Sequence, residues 1–142
     1  MAVLHGLFLD DGGGAAGPRG DRGSAPVEFV LVGALLTFLT LGVLQLGLGV
    51  YVRNVVHDAA VEGAYQAALA DQTLADGEAR TRELIVRAIG PAYANEVHAS
   101  SSSLGGQPGV TVTVRTPMPI VGLLGAPGSW EVTARAPAED AG

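Results

Sequence analysis

The sequence predicts an α+β protein: a long N-terminal transmembrane helix continuing past the membrane, a second short helix, and a small antiparallel sheet of about three strands. Three observations carry this. Phe29 through Val52 contains no Asp, Glu, Lys or Arg. Two stretches beyond it repeat apolar residues at helical period. Two late stretches, Val110–Thr116 and Trp130–Ala136, alternate apolar and other residues at period two, as half-buried strands do.

The uncharged run comes first. Its ~24 residues make roughly 36 Å of helix, enough for a hydrocarbon core of about 30 Å. A soluble core helix is rarely apolar on every face for that long. Residues 24–52 are therefore read as one membrane span. Residues 1–23 precede it and hold Gly12-Gly13-Gly14 and Gly17-Pro18, which break regular structure. Val3–Leu9 is apolar but far too short to span. A secretory signal is a poor alternative, because the apolar run is long and ends Gly49-Val50-Tyr51-Val52-Arg53, without small residues in an Ala-x-Ala-like site. Arg19 and Arg22 on the N-terminal side against Arg53 on the other favour an N-terminus inside and a C-terminus outside.

The edge of the span is its most informative part. Ser24 is suited to an N-cap, Pro26 falls in the first turn, and Glu28 lies near the positive end of the helix dipole. A carboxylate drawn toward the bilayer costs about 2.5–3.5 kcal/mol on insertion scales. Either Glu28 rests among headgroups without a partner, or a cation meets it there.

Gly23-Ser24 followed by Glu28-Phe29 resembles a prepilin-type processing site. Ala59-Ala60-Val61-Glu62-Gly63-Ala64 and the late Val-Thr strand pair also resemble the TadE-like family of pseudopilins. The resemblance covers most of residues 20–136. It implies a leader, residues 1–23, removed on the cytoplasmic side by a prepilin peptidase between Gly23 and Ser24. It implies a new amine on Ser24 and a role for Glu28 and Phe29 in assembly, Glu28 meeting the N-terminal amine of a neighbouring subunit. Its expected partners are other pilin or pseudopilin subunits, the prepilin peptidase, the membrane platform of a Tad (Flp) type pilus, and the lipid bilayer. A rival of another class is an uncleaved signal-anchored protein with a small outer binding domain.

Within the span, 100° per residue places Gly42, Gln45 and Gly49 on one face and Gly33, Thr37 and Thr40 on roughly the opposite one. Small residues permit close helix approach, and Gln or Thr hydrogen-bonds across helices for about 0.6–2 kcal/mol. Two such faces suggest more than one helix neighbour. The alternative is that these residues are merely common in membrane helices.

Residues 53–70 extend the helix. Val52, Val56, Ala59, Gly63 and Ala67 form a stripe, joined by Ala60 and Ala64, that is expected to pack on the protein's own outer domain. Asn54, His57, Asp58 and Glu62 lie mostly opposite. Phe29–Ala70 then forms one helix of roughly 63 Å. The outer domain, residues 71–142, begins with a break at Asp71–Asp76, where Thr73 or Asp76 caps the next helix. That helix is read as Glu78–Ile89, with Leu84, Ile85, Ala88 and Ile89 inward and Arg80, Arg82, Glu83 and Arg87 solvated. Gly90-Pro91 stops it. A first strand is read at Glu96–Ser102, a turn at Leu104–Gly109, and a strand at Val110–Thr116 ended by Pro117 and Pro119. Ile120–Leu124 is read as an apolar lid. Trp130, Val132, Ala134 and Ala136 face inward on the last strand, and Pro137–Gly142 is read as a frayed tail.

Composition bounds the function. The net charge is −6. Without residues 1–23, which hold Asp10, Asp11 and Asp21 against Arg19 and Arg22, it is −5. An acidic chain argues against nucleic-acid binding. There is no Cys, hence no disulfide, cluster or thiolate site. Roughly 90 residues past the membrane are few for a deep core or an enzyme cleft. His5, His57 and His98 lack metal-ligand spacing, and Gly12-Gly13-Gly14 lacks the Lys and Ser/Thr of a phosphate loop. Ser101–Ser103 has no nucleophile motif around it. Asp76 and Glu78 are explained by the helix dipole. The expectation is no catalytic residue, no metal and no cofactor.

Overall fold

In the structure, a computed structural model, residues 21–119 and 128–139 are described. The elements are α1 (Asp21–Ala68), α2 (Leu74–Ile89), a 3-10 turn (Pro91–Tyr93), β1 (Glu96–Leu104), β2 (Gln107–Pro117) and β3 (Ser129–Pro137). The chain divides into two units, Met1–Phe38 and Leu39–Gly142. The α+β class, with its long apolar helix, short second helix and three-stranded antiparallel sheet, is as the residue patterns predict.

The first unit contributes the start of α1. The described part of the helix already includes Asp21, so Ser24 lies inside it and is not its N-cap. The backbone is helical at Asp21–Gly23, and Pro26 sits inside the helix, not in its first turn. The leader's residues 1–20 lie outside the described residues.

The second unit is two layers, helices over one face of a sheet in the order β1-β2-β3. The predicted stripe on α1 is buried throughout: Val52, Val56, Ala59, Ala60, Ala64 and Ala67 are each under 9% exposed, and Gly63 is buried among them. They meet Ile85 of α2, Val97 of β1, Val110, Val112 and Val114 of β2, and Val132, Ala134 and Ala136 of β3. The register places Val97 against Val114, Val114 against Val132, and Val112 against Ala134, so all project from one sheet face. The core is built from small aliphatics, which brings helix and sheet close. The Thr116 hydroxyl sits in this interior without a hydrogen-bond partner among the described residues, and the half-buried Ser102, which pairs with Gly109 on the other sheet face, is likewise without one.

At Gly63 the close approach becomes obligatory. A Cβ there would lie 1.8 Å from Thr81 Oγ1 and 2.6 Å from the Gly77 carbonyl oxygen. On the facing helix, a Cβ at Gly77 would lie 2.5 Å from Ala67 Cβ and 2.6 Å from the Gly63 carbonyl oxygen. The two helices thus cross backbone to backbone through a pair of glycines.

Several boundaries differ from the sequence reading. α2 starts at Leu74, not Glu78, because Thr73 is the cap. The Thr73 hydroxyl accepts from the Asp76 N–H at 3.2 Å and donates to Asp76 Oδ2 at 2.7 Å, and the Thr73 N–H donates to the same oxygen at 2.8 Å. This is a capping box with Asp in the third position. The hydroxyl of Thr73, then its N–H, hold the Asp76 carboxyl below its ordinary value of 3.8. A carboxyl depressed on folding stabilises above its unfolded value, and that contribution is lost as pH falls through the folded one. Thr73→Ala is expected to lower stability by about 1 kcal/mol. In acid titrations of the full chain in detergent, Asp76→Asn should lessen the loss of stability seen as the pH falls below 3.8.

Glu78 is not a dipole ornament: its Oε1 accepts the Ala99 N–H of β1 at 2.8 Å, tying α2 to the sheet. Arg82 is not merely solvated, since its Nε donates to the Ala94 carbonyl at 3.3 Å. Arg80 pairs with Glu62 and Glu83, and Arg87 with Glu83, at the surface, where such pairs contribute little. Gly90, at φ 101°, ends α2 before Pro91.

The turn between β1 and β2 is only Gly105-Gly106, at φ 59° and 90°. Two positive φ values are what a two-residue hairpin requires, so β1 runs on to Leu104 and β2 begins at Gln107. Pro108 and Gly109 fall inside the strand. The tail is not frayed at its start. The Ala138 N–H donates to the Pro108 carbonyl at 3.0 Å and the Glu139 N–H to the Ala68 carbonyl at 2.9 Å, satisfying one of the unpaired carbonyls at the end of α1. Ile120–Leu124 and residues 140–142 lie outside the described residues.

Candidate functional site

The site that the residue patterns single out lies along α1. Among the described residues α1 is the one helix long and apolar enough to cross a membrane, and none of its most apolar window is buried. Phe29, Val30, Leu31, Leu35 and Leu39 are each more than 60% exposed. A core helix of a soluble protein would hide such side chains; an exposed run of this length marks a partner or a membrane.

Gly23 and Ser24 are helical, and a Cβ on Gly23 would meet nothing within 4 Å. The fold gives no reason for a glycine there, and a helical Gly costs about 0.5–1 kcal/mol relative to Ala. Glu28 is exposed and takes part in no hydrogen bond or ion pair among the described residues. Phe29 is 81% exposed. Among the described residues nothing uses either side chain.

The two faces fare differently. Gly33 and Gly42 look onto open space. The Thr37 hydroxyl donates to the Gly33 carbonyl at 2.8 Å, within the helix, so it is satisfied even in lipid. Thr40 is exposed. Gln45 and Gly49, by contrast, have intramolecular occupants. Gln45 Nε2 donates to the Pro119 carbonyl at 2.6 Å, and the Trp130 ring reaches within 3.1 Å of where a Gly49 Cβ would stand. Periodicity groups Gly42, Gln45 and Gly49 on a face but does not say that the sheet end covers two of the three. It also passed over Gly47, which is equally open.

Among the described residues no three His, Asp or Glu side chains come together as metal ligands would. No curated protein and no solved structure matches the chain. The family comparison does match, over the stretches Gly23–Phe29 and Ala59–Ala64 and not over the late strand pair. Beginning at Gly23 and ending at Ala64, residues 23–64 fit the model of the TadE-like protein family, and it is to that family that this part of the chain is similar.

Proposed function

We propose that the protein is a membrane-anchored minor pilin or pseudopilin of a Tad-type pilus or a related secretion apparatus. It is made with its N-terminus in the cytoplasm, cut between Gly23 and Ser24 by a prepilin peptidase, and assembled through the first half of α1. Its small α+β domain then lies outside the cytoplasmic membrane. The observation that carries this reading is the TadE-like match starting at Gly23, on a helix whose apolar surface its own fold leaves uncovered. Three features support it. Gly23 is a glycine that the fold does not need. Glu28 has no partner among the described residues, and an amine created by the cut would supply one at low dielectric, where such a pair is strong. Gly33, Gly42 and Gly47 leave room for close approach by neighbouring helices.

The test is the mass and N-terminal sequence of the protein from membranes of cells with an active prepilin peptidase. The expected product begins at Ser24. Gly23→Asp should leave the chain intact and folded, because the position is open. Wild-type chain that keeps its leader in such cells would overturn processing and favour an uncut signal anchor.

A further inference from the structure

Where β2 and β3 end against α1, a cleft of about 330 Å³ opens, lined by Leu46, Val50, Arg53, Met118, Pro119 and Trp130. Its wall is continuous with the membrane-facing surface: Leu46 is 71% and Val50 52% exposed, and both belong to the uncharged run. At the far rim stands Arg53, exposed and in no ion pair among the described residues. Gln45, whose amide would be costly in hydrocarbon, is taken up by Pro119. Trp130 lies over Gly49, inside the same uncharged run. The sheet end therefore overlaps the last turns of the apolar helix, at the level where Trp and Arg favour the membrane interface.

We propose that this cleft seats a phospholipid, its acyl chain along Leu46, Val50, Met118 and Trp130 and its phosphate on Arg53. The inference rests on α1 spanning the bilayer. Its two supports are the continuity of the cleft with the exposed apolar turns and the complementarity of an unpaired guanidinium to a phosphate.

Trp130 is the chain's single Trp, so its emission reports on this cleft alone. The full chain is reconstituted in vesicles of phosphatidylcholine, with or without phosphatidylglycerol, bearing bromine on the acyl chains. Bromine near the headgroup end should quench Trp130 more than bromine near the terminal methyl, and aqueous iodide should quench it little. Arg53→Gln should lower the preference for brominated phosphatidylglycerol by about fivefold. Vesicles that float with the protein while Trp130 is unquenched by either bromine would overturn the lipid site and leave the span standing. A Trp130 shielded from both iodide and bromine would mean that protein, such as a second copy, fills the cleft. Displacement by inorganic phosphate would make it a free-anion site instead. Protein that does not float with vesicles removes the span and the lipid site together.

Discussion

Gly63→Ala is expected to lower the stability of the outer domain by about 3 kcal/mol, the upper part of the range for overpacking a filled interior, and Gly63→Val to prevent folding. The reason is geometric. The new Cβ meets the Gly77 carbonyl oxygen at 2.6 Å, and a backbone atom in the middle of α2 cannot turn aside as a flexible side chain would. Thr81 Oγ1, even closer, is itself held to the Gly77 carbonyl at 2.9 Å. Relief requires α1 and α2 to separate, which strips contacts from Ala64, Ala67 and Ile85 together. Small domains hold only about 5–15 kcal/mol in total, so the loss is a large share. Denaturant unfolding of the full chain in detergent, followed by Trp130 emission, is the measurement. Gly47→Ala is the control: it meets nothing and should be neutral or stabilising by up to about 1 kcal/mol. Equal midpoints for Gly63→Ala and wild type would remove the glycine crossing as a determinant of the fold.

The second large effect belongs to Ile85, which is 0% exposed and heads the largest fully buried side chains. Around it the core offers mainly Ala and Val, short side chains that cannot swing in to fill a hole. Ile85→Ala should cost about 2–5 kcal/mol, toward the upper end for that reason. Val86, the next residue but 41% exposed, should cost less than about 1 kcal/mol as Ala. If the two substitutions shift the midpoint equally, the packing described for α2 is incorrect.

Much of this fold was legible because its elements repeat with clean periods. The α1 stripe from Val52 to Ala67 and the inward alternations Val110–Val114 and Val132–Ala136 were each visible as spacing alone. What was hidden depended on partners distant in sequence. Nothing near Gly63 announces that Gly77 lies against it, and nothing near Gln45 names Pro119. Pro108 and Gly109 read as turn residues by composition, whereas Gly105 and Gly106 alone suffice to reverse the chain. Thr73 and Asp76 were each seen as caps, but only their geometry shows that they act as one box. Along the exposed part of α1, Gly23 and Glu28 stood out for the opposite reason. They satisfy no requirement of the fold, and residues of that kind are the ones a sequence displays most openly.

The hydrogen bond from Glu139 to Ala68 joins the segment just after the last strand to the end of the long helix. Tension applied along α1 toward the membrane would therefore not simply peel the helix away from its terminus. Part of it would enter the sheet through β3 and be shared by the antiparallel rungs between Gly109–Pro137 and Pro117–Ser129. Force applied between α1 and the far edge of the sheet is thereby resisted by strand pairing as well as by helical hydrogen bonds.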